Sequence, residues 1–347
     1  MNDPPLVELL TACTEAFGPS GFEDPARQVV QRYAEQIADE VGVDGAGNLT
    51  ARLRGDGPAV VLTAHLDEVG LMLSHVEDDG FVRVAPIGGW EPIVLPAHRL
   101  SFATGTGELV TGVVSTLPPH VTEGKAEAPP KLSDLAVDVG AADREEVAAR
   151  GLEVGAPAVP ATRLERMGED AVTAKALDDR AGCVAVLEAL RALATDRPGR
   201  EVVAAFTTGE ERDGSGAAHL ARGIDPELVL VVETTVAADL PGIPGHRRVT
   251  SLGRGPALTV MDRSWTARPQ LVDGLRRTAA EIGMAVQTKQ PMVSGTDATT
   301  WREERPDLPC AVVSTPCRGI HSASGVLRLS DLRATASLIE AAARGLP

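Results

Sequence analysis

Five apolar, strand-like runs in this chain each end on a residue able to bind a metal ion or move a proton. They lead into Ala64-His65-Leu66-Asp67-Glu68, Lys175-Ala176-Leu177-Asp178-Asp179-Arg180, Thr208-Gly209-Glu210-Glu211, Val231-Val232-Glu233-Thr234 and Gly319-Ile320-His321-Ser322. In an open α/β sheet, ligands gather in the crevice beyond the carboxyl ends of the strands. Segments far apart in sequence can therefore converge there on one site holding two His, one Asp and two or three Glu. That donor set suits a pair of hydrolytic divalent metals. The pattern predicts a metal-dependent hydrolase.

The chain has 347 residues, enough for two domains or one large domain with an insertion. Hydrophobic residues make up 43% but aromatics only 3%, so the core must be built from Val, Leu, Ile and Ala. With 33 basic against 49 acidic residues the net charge is −16, which argues against nucleic-acid or anionic-membrane partners. No apolar run approaches the ~20 residues that span a bilayer. The stretch Met1-Asn2-Asp3-Pro4-Pro5 has neither a basic region nor a signal-type apolar segment. A cytoplasmic protein is expected. Cys13, Cys183, Cys310 and Cys317 form no C-x-x-C pair; Cys13 and Cys183 sit in helix-like apolar patterns and Cys310 opens a strand-like run, which predicts buried free thiols.

Residues from about Leu6 to Val41 predict two helices broken at Gly18-Pro19-Ser20-Gly21, with Val29, Val30, Tyr33, Ile37 and Val41 along one face. A hairpin is expected around Asn48 to Leu53, then a buried strand over Ala59–Thr63. Between residues 70 and 161 the texture changes to short alternating runs among Gly and Pro, with one helix signal from Asp143 to Arg150. This predicts a small β-barrel or sandwich inserted into the α/β unit, because the ligand pattern resumes only after it. The catalytic α/β domain is then 1–69 with 162–347. Strands at Val202–Thr207, Leu228–Val232 and Ala311–Ser314 alternate there with helices at Arg180–Leu193, Gln270–Ile282 and Leu332–Ala343. That alternation predicts a mostly parallel central sheet with helices on both faces.

Each candidate has its own chemistry. A metal-bound His needs a carboxylate or carbonyl on its second nitrogen, and Asp67 lies two residues beyond His65. Glu68 is expected in solvent. Asp178 fits an ordinary N-cap, yet two consecutive acids with Lys175 nearby exceed what a cap requires. A carboxylate there can bridge two ions. Adjacent residues leaving a strand point apart, so one of Glu210 and Glu211 can hold metal while the other moves a proton. Glu233 ends a very apolar run and needs a partner, since an unpaired buried carboxylate is costly. His321 opens onto the small loop Ser322-Ala323-Ser324-Gly325. His75, His98, His120, His219 and His246 lack such settings and are expected in surface or structural roles.

In this order the motifs resemble the metalloaminopeptidases of peptidase family 42, which includes glutamyl, lysyl and deblocking aminopeptidases and the self-compartmentalising TET particles. The resemblance covers nearly the whole chain. It extends to Gly18-Pro19-Ser20-Gly21, Ala85-Pro86-Ile87-Gly88-Gly89-Trp90, Val260-Met261-Asp262-Arg263-Ser264 and Gly295-Thr296-Asp297-Ala298. It implies two divalent ions per subunit, zinc or cobalt with manganese as an alternative. One would be held by His65, Asp178 and Glu233, the other by Asp178, Glu211 and His321. Glu210 matches the catalytic acid/base, and Asp67 the partner of His65. The implied reaction removes N-terminal residues from peptides by attack of metal-activated water on the amide carbonyl. The inserted segment matches a dimerisation domain, and a tetrahedral dodecamer is implied. The chain departs from many relatives at Glu233 (commonly Asp), at Arg212-Asp213-Gly214-Ser215-Gly216 and at Arg318-Gly319. Three alternatives stand beside this: a deblocking N-acyl aminopeptidase, a metal-free glycosidase using paired carboxylates, and an inactive assembly or binding homologue.

Overall fold

The structure, a computed structural model, describes residues 4–116, 120, 130–263, 265–290 and 294–346. Met1–Asp3 and Ser264, both used above, lie outside the described residues. Helices α1 (Pro4–Glu15) and α2 (Asp24–Ala34) lead into β1 (Glu40–Val43), β2 (Leu49–Leu53) and β3 (Gly57–His65). Next come β4 (Gly70–Val76), β5 (Phe81–Ile87), β6 (Arg99–Ala103), β7 (Leu109–Val114), β8 (Ala136–Asp138), α3 (Arg144–Ala149) and β9 (Pro157–Pro160). The chain continues through β10 (Glu165–Met167), β11 (Ala171–Ala174), α4 (Leu177–Thr195), β12 (Arg200–Thr207), α5 (Ser215–Gly223) and β13 (Leu228–Val236). It ends with β14 (Ala257–Thr259), α6 (Pro269–Glu281), β15 (Gln287–Lys289), α7 (Asp297–Glu304), β16 (Cys310–Arg318), β17 (Gly325–Arg328) and α8 (Leu329–Gly345).

The architecture is α/β. Strands β12, β3, β13 and β16 form the parallel centre of an 11-stranded sheet, and antiparallel strands extend it on both sides. From Ala59 to His65 every residue of β3 is buried, as a strand covered on both faces requires. Helix α4 packs against β3, β12, β13 and β16, with α1 and α8 on its outer side, and is buried almost all round. Cys13, Cys183, Cys310 and Cys317 are all buried and free. Val41 departs from the helical face expected for it and lies in β1, because the helix before it ends at Ala34 and the chain turns to pair with β2.

Strands β4 to β9 close into a barrel in the order β4-β5-β8-β7-β6-β9, around a second core that includes Phe102, Leu71, Leu73 and Val137. Asp143 caps α3 by accepting a hydrogen bond from the Glu146 N–H. Two short helices, α5 and α7, have no counterpart in the sequence expectations. Nine and eight residues long, they carry too few turns for periodicity to mark them.

Candidate metal centre

Strand register gathers the site. Thr207 of β12 lies opposite His65 of β3, and Thr63 lies opposite Val231 of β13. Two residues further along each strand, His65 and Glu233 therefore share one face of the sheet. Glu233 is not the last residue of its strand, since β13 runs on to Val236. The turn after β12 carries Glu210 and Glu211, the start of α4 carries Asp178, and the loop after β16 carries His321.

These six candidates meet. His65 Nε2 lies 3.5 Å from Asp178 Oδ1, 3.8 Å from Glu233 Oε2 and 3.9 Å from Glu210 Oε2. His321 Nε2 lies 3.0 Å from Glu211 Oε1 and 3.6 Å from Asp178 Oδ2. Ligand atoms of His65, Asp178 and Glu233 all fall within 4.8 Å of one another, as do those of Asp178, Glu211 and His321. A third such group is His65, Glu210 and Glu211. Asp67 sits behind His65, whose Nδ1 is 3.1 Å from the Asp67 carbonyl and 3.3 Å from its Oδ1. By contrast His75, His98, His120, His219 and His246 are exposed.

The cap and the candidate ligand turn out to be different acids. Asp178 and Asp179 have non-helical backbone angles, and the peptide bond between them is cis. Asp179 Oδ1 accepts from the Gly182 N–H at 3.1 Å, while its Oδ2 accepts from the His65 N–H at 3.3 Å. Capping falls to Asp179, which leaves Asp178 facing the two histidines.

Glu68 corrects the expectation of a solvated side chain. It is 2% exposed and receives Lys175 Nζ at 2.6 Å, with Arg180 at 3.6 Å. Arg180, wholly buried, donates to the carbonyls of Cys13, Gly18 and Leu66 and so ties the loop before α2 to the end of β3. The barrel segment closes the other side of the site. A Cβ on Gly89 would lie 3.2 Å from His321 Nδ1, and one on Gly88 would lie 3.3 Å from the Glu211 Cβ. Gly88 also holds φ at +78°, the left-handed region that favours glycine.

Electrostatics follows from crowding acids in a dry place. Burial, reinforced by Glu211, Asp297 and Asp67, pushes Glu210 well above the usual carboxylate range against the field of His65. Burial likewise raises Glu233, with Asp179, Glu210 and Asp178 adding to it. Burial opposes charge on His65, yet its bonds to Asp178 and Asp67 hold its pKa well above the ordinary value. For His321 the pairing with Glu211 likewise outweighs burial, giving about 9. So many acids converging on two imidazoles repel one another unless cations join them. The N/O donor set with no sulfur fits hard or borderline divalent ions.

Sequence reasoning passed over Asp179 and Asp297. Asp297 opens α7, accepts a 2.6 Å hydrogen bond from the Thr207 hydroxyl, and is pushed up to about 6 by burial. Its one signal was membership of the Gly295-Thr296-Asp297-Ala298 motif.

Residues 47–338 match the family model described as M42 glutamyl aminopeptidase. The chain is 34% identical over 338 residues to the lysyl aminopeptidase of Pyrococcus furiosus, covering 96% of this chain and 95% of that protein. An aminopeptidase from the archaeon Desulfurococcus kamchatkensis superposes with a TM-score of 0.93 at 34% identity, covering 97% of this chain and 94% of the other. The TET1 peptidase of Pyrococcus horikoshii, which can assemble into a tetrahedron or a large octahedral shell, superposes with a TM-score of 0.87 at 28% identity, covering 98% and 100%. With a family model matched over most of its length and this level of identity to a relative covered almost end to end, the chain belongs to the M42 glutamyl aminopeptidase family of peptide-bond hydrolases.

Proposed function

We propose that this chain is a dinuclear-metal-dependent aminopeptidase that removes N-terminal residues from peptides. The observation that carries the reading is Asp178, whose Oδ1 faces His65 while its Oδ2 faces His321. One ion would be held by His65, Asp178 and Glu233, the other by Asp178, Glu211 and His321, and zinc, cobalt or manganese all suit those donors. When bound, such ions supply Lewis acidity to a scissile carbonyl and lower the pKa of water.

The chain's own residues do the rest. Glu210, held with a raised pKa beside the donors, takes a proton from the attacking water and hands it to the leaving nitrogen. Asp67 keeps His65 oriented through its Nδ1. Acidic groups around His65 offer the free amine of the peptide an anionic dock. The deciding experiment incubates short peptides, with free and with acylated N-termini, with metal-loaded and chelated protein. Turnover of acylated peptides alone would replace this reading with a deblocking one. Glycan cleavage that survives chelation would replace it with a glycosidase.

The segment 70–161 is the proposed dimerisation domain. Its exposed apolar residues Ile93, Leu109, Val113 and Val154 support self-association, and assembly into a dodecamer would follow the P. horikoshii relative. No helix among the described residues is long and apolar enough to cross a membrane. Four buried free thiols support a reducing, cytoplasmic setting. The family description and the P. furiosus relative point to N-terminal residues of opposite charge. First-residue preference therefore has to come from this chain's own side chains.

A further inference from the structure

The two candidate donor histidines are held in different ways. His65 is 1% exposed, and its Nδ1 lies 3.1 Å from the Asp67 carbonyl and 3.3 Å from the Asp67 carboxylate. The His321 side chain is 35% exposed, and its Nδ1 has no hydrogen-bond partner among the described residues. A metal-bound imidazole is ordinarily oriented through its second nitrogen. His321 lacks that hold, so its aim has to come from the backbone that carries it.

That backbone is tightly wound. His321 has φ +56°, in the left-handed region that side-chain-bearing residues rarely adopt, and Gly319 has φ +70°. The Ser322 hydroxyl donates to the Gly319 carbonyl at 2.6 Å and accepts from the Ser324 N–H at 3.3 Å. A Cβ on Gly319 would lie 2.9 Å from the Ser324 carbonyl oxygen. These contacts are internal to residues 319–324. They set the shape of the loop but not its place over Asp178 and Glu211.

The anchor to the rest of the molecule comes one residue earlier. Strand β16 ends at Arg318, whose Nε and Nη2 donate to Asp239 Oδ1 at 2.6 Å and Oδ2 at 2.8 Å. Two-pronged bonding of this kind fixes direction as well as distance. A fully exposed ion pair would hold little, but the Asp239 side chain is 12% exposed. Asp239 is itself fastened. Its Oδ2 accepts from the Leu252 N–H at 3.1 Å, and Ala237, two residues before it, donates to the Cys317 carbonyl at 2.8 Å. Asp239 lies just beyond β13, the strand of Glu233. The pair therefore joins the exit of the strand that bears one donor to the exit of the strand that leads to another.

We propose that Arg318 is a positioning residue for one of the two ions: paired with Asp239, it holds the His321 loop where Nε2 faces Glu211 and Asp178. It acts through His321 and not on the peptide. This assignment rests on the dinuclear reading, and the test separates the two.

Metal-free wild type, R318A, R318K, D239N and the double variant R318A/D239N are titrated with Zn²⁺ by calorimetry, and denaturant unfolding of each is run alongside. Wild type should take up two ions. In R318A the affinity for one should fall about tenfold or more while the other stays close to wild type. R318K, which keeps the charge and loses the fork, should fall between. Because the two residues act as a unit, the double variant should bind no more weakly than the worse single one. In an H321A background, adding R318A should leave the retained ion unchanged. Two affinities in R318A that match wild type, or that fall together by the same factor, overturn the assignment and leave the dinuclear reading standing. Should unfolding show that R318A does not fold, R318K and D239N decide by the same comparison. If wild type binds one ion or none, the dinuclear reading fails and takes the assignment with it.

Discussion

Asp67 stands 3.3 Å behind His65 and is fully buried, with both of its oxygens engaged on the protein side of the imidazole. Its Oδ2 accepts from the Ser20 hydroxyl at 2.6 Å and the Glu211 N–H at 3.0 Å, and its Oδ1 accepts from the Glu210 N–H at 3.1 Å. One carboxylate thus orients His65 and sets the course of the turn that carries Glu210 and Glu211. In Asp67→Asn an amide group must face donors where a carboxylate accepted them. Metal affinity should fall roughly 10- to 100-fold, read by titration of metal-free protein with Zn²⁺. An unchanged affinity would separate Asp67 from the donor set.

Glu210→Gln removes the proton carrier and keeps the shape. Turnover should fall about 10²- to 10⁴-fold while bound metal, counted by atomic spectroscopy, stays at the wild-type level. Loss of metal together with turnover would instead make Glu210 a ligand, as its place in a group with His65 and Glu211 allows.

His321→Ala should behave differently, since its ion-pair partners among the described residues are Glu211 and Asp178. The expected result is one ion lost per chain and one retained. Asp178→Ala, removing the carboxylate shared by both histidines, should lose both.

The buried pair Lys175–Glu68 is a stability element. Lys175→Met leaves Glu68 without its 2.6 Å partner at a site 2% exposed, which should cost about 3–5 kcal/mol in denaturant unfolding. Adding Glu68→Leu should recover most of it, because the uncompensated charge is then gone. A single variant as stable as wild type would show that Arg180, 3.6 Å away, suffices.

Metal and pH are linked through the histidines. His321 rises from an ordinary 6.5 to about 9 in the metal-free fold, and His65 rises as well. A raised histidine stabilises the fold fully below its unfolded pKa, and that contribution is lost as pH climbs through the folded value. Between about pH 6.5 and 9 these two groups make metal-free protein less stable as pH rises. Metal requires neutral imidazole, so binding releases protons and strengthens over the same window. The gap in Tm between loaded and metal-free protein should therefore widen from pH 6.5 to 9, as thermal scans would show. A gap that narrows would contradict the assignment of these histidines as donors.

Much of this protein was already written in local pattern. The runs Ala59–Thr63 and Leu228–Val232 are apolar throughout because both faces of their strands are covered, and His65 and Glu233 stand just beyond them. Asp143 ahead of its helix and the apolar settings of Cys13, Cys183 and Cys310 were equally legible, since each depends on near neighbours in the chain.

Tertiary structure decided what depends on distant partners. Whether Glu68 is solvated is fixed by Lys175, 107 residues away, and no periodicity reports that pairing. Asp178 and Asp179 are equivalent as caps in sequence, and the geometry of the turn gives the cap to one and both histidines to the other. Arg318 and Asp239 are 79 residues apart, and only the pairing of β13 with β16 brings them together. Local sequence sets which way a side chain leaves its own strand. Which strands lie beside each other, and which charges they bring together, is settled by packing over the whole sheet.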